Sequence, residues 1–122
     1  MGEKAKILVV DDDPLVLRTI QRIVRRRYDD EGVTSADEAL RRVRQGGIDA
    51  VLTDVNMPGM SGLELLSELR NQHPELPVML MTAKHSTEDA EAARAQGAFA
   101  YLLKPMPPEA VLESVAEALR PG

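Results

Sequence analysis

Apolar residues in this chain come in short solid blocks separated by stretches of helical periodicity. Ile7-Leu8-Val9-Val10 is an unbroken aliphatic run that stops at Asp11-Asp12-Asp13-Pro14. That pattern predicts a strand buried on both faces in the middle of a sheet. Asp13 can cap a helix with Pro14 in its first position, and Val16, Ile20, Ile23 and Val24 then recur at helical spacing. A second strand is expected around Gly32-Val33-Thr34. The acids Asp29, Asp30 and Glu31 just before it suit an exposed edge better than a core position.

The alternation continues. Ser35 and Glu38 form a capping-box pattern ahead of Ala39, Leu40 and Val43, and Gly46-Gly47 closes that helix. Ala50–Thr53 is the third strand, ending at Asp54, and a turn-rich Asn56-Met57-Pro58-Gly59 follows. Ser61 and Glu64 repeat the capping pattern before Leu65, Leu66 and Leu69. Val78–Thr82 is a fourth buried strand, Ser86–Gln96 an alanine-rich helix stopped by Gly97, and Ala100–Leu103 a fifth strand closed by Lys104-Pro105. The last helix runs from about Pro108 to Arg120, with Val111, Leu112, Val115 and Leu119 on one face. Five strand–helix alternations predict an α/β fold: a doubly wound parallel sheet with right-handed crossovers and helices on both faces. No linker or repeat interrupts the 122 residues, so residues 1–122 are expected to form one domain, either free-standing or excised before a linker.

Composition narrows the function. With 15 Lys plus Arg against 20 Asp plus Glu, the net charge of −5 leaves no basic excess to neutralise phosphates, which argues against direct nucleic-acid binding by this domain. The absence of cysteine excludes disulfides, thiolate zinc sites and thiol nucleophiles. No apolar stretch is long enough to span a membrane and Met1–Lys6 leads into no signal core, so no membrane contact is expected and the cytoplasm is the default location. Tyr28, Phe99 and Tyr101 are the only aromatics, too few for the stacked walls of a flavin site.

In open α/β sheets ligands bind beyond the carboxyl ends of the strands. Strand one ends in Asp11 and Asp12, strand three in Asp54, strand four in Thr82 and strand five in Lys104. Singly, each is an ordinary loop acid, strand-end hydroxyl or surface lysine. Together they place a charged or hydroxyl group at one edge from four strands, and if strands one and three are neighbours the three carboxylates converge. Such a cluster raises its own pKa values unless a cation joins it. Mg²⁺, with Mn²⁺ as the alternative, suits this all-oxygen set. The metal and Lys104 together cancel the charge of the three aspartates, leaving a neutral site able to admit a phosphoryl group.

The segments ILVVDDDP at 7–14, VLTDVNMPGMSG at 51–62, LMTA at 80–83 and YLLKP at 101–105, in that order, resemble the receiver domains of two-component response regulators over nearly the whole chain. The resemblance implies the flavodoxin-like strand order 2-1-3-4-5. It implies that Asp54 is the phosphoacceptor, taking the phosphoryl group from a phosphohistidine on a sensor histidine kinase or a histidine phosphotransfer protein. Asp12 would ligate Mg²⁺ directly, Asp11 largely through water, and Asn56 through its backbone carbonyl. Thr82 and Lys104 would hold phosphoryl oxygens, and a cis Lys104–Pro105 bond is implied. Small Ala83 would leave the aspartate accessible. Asn56 and Lys84 would tune the lifetime of the acyl phosphate. Tyr101 would turn inward as Thr82 moves, switching the face made by the fourth helix, fifth strand and fifth helix for output, a face open to homodimer formation. Such a domain assists its own phosphorylation and dephosphorylation and is not an enzyme in the ordinary sense.

Some features stand apart. Met106 occupies a position where the family often has Phe, and Pro107-Pro108 follows it. Met57, Met60, Met79, Met81 and Met106 read as core and loop filling. His73 and His85 lack metal-ligand spacing. Arg25-Arg26-Arg27, with Arg18 and Arg22, form either a solvated helix face or part of a docking surface for an acidic partner. Two alternative functions remain: a receiver-like binding module that works without phosphorylation, and a haloacid-dehalogenase-type phosphatase using Asp11-x-Asp13. The phosphatase normally needs a Thr soon after the second Asp and a longer chain.

Overall fold

The computed structural model describes residues 4–84 and 86–120; expectations placed on residues 1–3, on His85 and on residues 121–122 lie outside them. The elements alternate as predicted: β1 (Lys6–Val10), α1 (Pro14–Val24), β2 (Asp29–Val33), α2 (Ala36–Arg44), β3 (Ala50–Asp54), α3 (Gly62–Gln72), β4 (Val78–Thr82), α4 (Thr87–Ala95), β5 (Ala100–Leu103) and α5 (Pro108–Leu119). Ser86, Gln96 and Arg120, expected inside helices, are cap residues, the half-helical positions where a pattern in the sequence is least sharp.

All strand pairs are parallel, in the order β2-β1-β3-β4-β5. The connection from β1 runs outward to β2 and the next returns past β1 to β3. The sheet therefore reverses direction between β1 and β3, which opens a crevice at their carboxyl ends. The side-chain period of two divides the sheet between two cores. Ile7, Val9, Ala50, Leu52, Met79 and Met81 face α1 and α5. Leu8, Val10, Val51, Val78 and Leu80 face the layer of α2, α3 and α4.

Local chemistry sets the helix starts. The Asp13 carboxylate accepts the Leu15 N–H at 2.9 Å, with Pro14 at the first helical position. At α3 the capping box is reciprocal: Ser61 Oγ accepts the Glu64 N–H at 3.2 Å, and Glu64 accepts the Ser61 N–H at 3.0 Å. At α2 it is one-sided, because Glu38 instead accepts the hydroxyls of Thr34 and Ser35.

The second strand lies at the sheet edge as its acids predict, but it starts earlier than expected. It begins at Asp29, so the acids expected to precede it lie within the ladder, Asp30 opposite Ile7 and Glu31 opposite Leu8. An edge strand exposes both faces to helix rims, and each acid finds an arginine there. Arg25 of α1 grips Asp30 with two bonds of 2.9 Å, joined by Gln21 at 3.0 Å. Arg42 of α2 grips Glu31 at 2.6 and 2.8 Å, with Lys6 at 3.1 Å. Edge polarity shortened the strand on paper; bidentate pairing restores it.

Hydrogen bonding from Arg42, offset in part by burial and reinforced by Lys6, pulls the Glu31 carboxyl down to about 2. A depressed folded value adds stability that is present above the ordinary glutamate range and lost as pH falls through it toward 2. Since about a third of the side chain is exposed, screening reduces the effect. Glu31→Gln is expected to lose roughly 1 kcal/mol at pH 7 in urea unfolding, with the gap from the parent narrowing by pH 3. A loss that stayed constant with pH would contradict this account of β2.

Candidate functional site

The two-residue period that divides the core also assembles the charged groups. The ladder continues past the strand ends, the Asp11 N–H donating to Val33 O at 3.2 Å and the Lys104 N–H to Thr82 O at 2.7 Å. Asp11 follows Ile7 and Val9, Asp54 follows Ala50 and Leu52, and Lys104 follows Ala100 and Leu102, so all three share the α1/α5 side of the sheet. Thr82 follows Val78 and Leu80 and belongs with Tyr101 on the α4 side.

Lys104 Nζ lies 2.8 Å from Asp11 Oδ2 and 3.0 Å from Asp54 Oδ1. Asp11 is 1% exposed and Asp54 6%, whereas Asp12 is open to solvent. One carboxylate oxygen from each of Asp11, Asp12 and Asp54 lies within 4.8 Å of the others. This spacing and the hard-oxygen donor set fit a single small divalent cation between them. Asn56 is exposed in the β3–α3 loop between buried Val55 and Met57, which pin the chain on either side of it. The loop closes where the Gly62 N–H donates to Val55 O at 2.8 Å. A side chain at Gly62 would overlap the carbonyl of Asp54, so glycine is required here by close approach. Gly62 had no individual role in the sequence reading; its place just inside the capped start of α3 was the signal available.

Burial raises the Asp54 carboxyl above the ordinary range. The hydrogen bond and charge of Lys104 oppose this, and repulsion from Asp11 and Asp12 adds to it. Burial also pushes the Lys104 ammonium downward, but its bonds to Asp11 and Asp54 outweigh that and leave it above an ordinary lysine. One lysine serves two buried carboxylates, so the cluster still carries excess negative charge.

Thr82 reaches the same edge, 2% exposed, but its hydroxyl is engaged locally: it accepts the Lys84 N–H at 3.2 Å and donates to Lys84 O at 3.3 Å. The Tyr101 hydroxyl is buried with no partner among the described residues. The Lys104–Pro105 peptide bond is cis. Asp13 points its carboxylate into the start of α1 and so stands outside the cluster, which removes the Asp11-x-Asp13 pair a phosphatase would use. His73 caps the end of α3.

Beside the cluster, Leu15, Val16, Ile20, Ile23, Pro105 and Met106 line an apolar cleft of about 300 Å³ that also touches Lys104. Leu15 is 68% exposed at its rim. A wider cleft of about 450 Å³, against Ile48, His73 and Leu76, includes none of the strand-end groups.

A fold and site of this kind define a class, and the comparisons place the chain in it. Residues 7–116 match the response regulator receiver domain, and the chain belongs to that family. It is 35% identical over 116 residues to the transcriptional regulatory protein GlrR of Escherichia coli, covering 94% of this chain and 26% of GlrR. It is 39% identical over 113 residues to the response regulator protein FleR of Pseudomonas aeruginosa, covering 92% of this chain and 24% of FleR. The chain thus spans about a quarter of the length of these relatives. The chemotaxis protein CheY4 of Vibrio cholerae superposes with a TM-score of 0.89 at 30% identity, over 95% of this chain and 99% of CheY4. The chain is therefore a receiver domain of the two-component class. No helix among the described residues is long and apolar enough to cross a membrane.

The charge imbalance has a consequence for stability. Because the folded carboxyl of Asp54 titrates above its unfolded value, ionised Asp54 opposes folding. That penalty is absent below the ordinary carboxylate range and grows as pH rises through the folded value. In metal-free buffer, Asp54→Asn is expected to raise the melting temperature by a few degrees at pH 7 and to gain little near pH 4. Calorimetry at the two pH values checks this; a mutant less stable than the parent at pH 7 would contradict the stated balance.

Proposed function

We propose that this domain accepts a phosphoryl group on Asp54, with Mg²⁺ bound among Asp11, Asp12, Asp54 and the backbone carbonyl of Asn56. The reading rests chiefly on Lys104, which stands within hydrogen-bond reach of both Asp54 and Asp11 at the mouth of the acidic cluster. An Asp54 oxygen attacks phosphorus; the new O–P bond forms as the P–N bond of a phosphohistidine breaks, and the imidazole nitrogen leaves with the electron pair. Bound Mg²⁺, or Mn²⁺ in its place, supplies positive charge to the equatorial oxygens as the group transfers. Lys104 donates to a phosphoryl oxygen from the α1/α5 side. Thr82 donates from the α4 side once its hydroxyl leaves Lys84. Asp12, exposed and unpaired with Lys104, would ligate the metal directly, and Asp11, committed to Lys104, would act mainly through water, as the family resemblance implies. Asn56 and Lys84 flank the path of the hydrolytic water and set how long the acyl phosphate lasts.

The donor is a sensor histidine kinase or a histidine phosphotransfer protein, placing this domain in the cytoplasm. The apolar cleft between α1 and the Pro105–Met106 segment opens beside Lys104, and Arg18 and Arg22 are exposed on the same helix. Those features suit an amphipathic partner helix with acidic flanks. Output is carried by α4, β5 and α5. Phe99 and Leu103 are 45% and 49% exposed on the side of β5 that carries Tyr101, and a second copy can meet that surface about a two-fold axis. Tyr101 and Thr82 form the switch between site and surface.

Incubation with Mg²⁺ and a small acyl phosphate or phosphoramidate tests the reading. Intact-mass spectrometry is expected to show one added phosphoryl group in the parent and none in Asp54→Asn, with chelation abolishing the label. Undiminished labelling of Asp54→Asn would overturn the assignment.

A further inference from the structure

Helix α4 is fastened at one end only. Along Thr87–Ala95 the only fully buried side chain is Ala93. Thr87, Glu88, Asp89, Glu91 and Ala92 are exposed, so the first two turns remove almost no apolar surface from water and gain little from burial. Their terminal tie is the local cap in which Ser86 Oγ accepts the Asp89 N–H.

The other end is tied down by buried Ala93 and by backbone hydrogen bonds. The Gly97 N–H donates to Arg94 O at 3.0 Å, the Ala98 N–H to Ala93 O at 2.9 Å, and the Phe99 N–H to Val78 O at 2.8 Å, which hands the chain to the sheet. Gly97 has φ +95, a conformation that favours glycine. Against its bare backbone lies Arg70 of α3: a methyl group on Gly97 would stand 2.8 Å from Arg70 Nε. Arg70 Nη1 also reaches Leu76 O at 3.4 Å in the α3–β4 connection. A guanidinium here stands against the carboxyl end of α4, where the helix dipole places partial negative charge.

We propose that Arg70 is a positioning residue that clamps the last turn of α4 through Gly97, so that the helix is a lever hinged at Gly97. Residues 86–92 open as a unit while residues 93–99 stay docked. The free end of the lever follows closely on Lys84, whose backbone holds the Thr82 hydroxyl. Release of that hydroxyl is thus delivered to the end of α4 least able to resist it. This use of the lever rests on the proposed phosphoryl-transfer function; the clamp does not.

Amide hydrogen exchange resolved by NMR, on the unphosphorylated chain in metal-free buffer, tests the clamp. In the parent, Ala90–Ala92 are expected to exchange about tenfold or more faster than Gly97–Phe99. In Arg70→Ala the protection of Gly97–Phe99 is expected to fall about tenfold, with Val9 and Leu52 unchanged. Arg70→Lys, which keeps the charge without the planar group against the turn, is expected to lose less. Equal protection along α4, an Arg70→Ala variant that leaves Gly97–Phe99 untouched, or a loss shared equally by Val9 and Leu52 would each overturn the proposal. Because no phosphoryl group is present, a failure of Asp54 to be labelled would leave this result standing on its own.

Discussion

Two carboxylates are withdrawn from water at the carboxyl edge of the sheet, and one lysine is available to both. Asp11 and Asp54 stay buried only because Lys104 bridges them, at 2.8 and 3.0 Å. A third acid, Asp12, stands in solvent within reach of the same point. Charges removed from water are tolerated when paired, and here the pairing is incomplete, so the fold carries an unbalanced negative charge at the carboxyl edge of the sheet. That excess, on three acids whose oxygens lie within 4.8 Å of one another, is compatible with a small divalent cation.

The rest of the structure serves that arrangement. Parallel pairing aligns the carboxyl ends of β1, β3, β4 and β5 along one edge, and the reversal between β1 and β3 leaves the crevice uncovered by a crossover. Alternation along the strands then sorts the groups by face. The bridged charges share one side with α1 and α5, while Thr82 and Tyr101 share the other with α4. Thr82, buried at the end of β4, brings the second side to the same edge as the bridged charges.

Much of this was legible in the residues themselves. Ile7–Val10, Ala50–Thr53 and Val78–Thr82 are solid apolar runs because both of their faces are buried, and that leaves no ambiguity of period. The site was legible for the same reason, since each run ends abruptly in a charged or hydroxyl residue. What was not legible depends on partners distant in sequence. The acids Asp29–Glu31 marked β2 as an edge strand but left its length open, because the partners of Asp30 and Glu31, Arg25 and Arg42, come from elsewhere in the chain. The engagement of the Thr82 hydroxyl by Lys84 is a choice among local hydrogen bonds that no pattern encodes. Arg70, in the middle of a capped helix, reads as an ordinary surface charge until the fold sets it against Gly97.

Burial, helped by repulsion from Asp11 and Asp12 and opposed by Lys104, holds the Asp54 carboxyl above its ordinary range, and a divalent cation bound among the three acids is expected to lower it. Titration of the Asp54 side-chain carboxyl carbon by ¹³C NMR measures this directly, once in metal-free buffer and once with saturating Mg²⁺. The account predicts a titration above the ordinary aspartate range without metal and a large downward shift with it. A midpoint at or below the ordinary range without metal, or one indifferent to Mg²⁺, would contradict it.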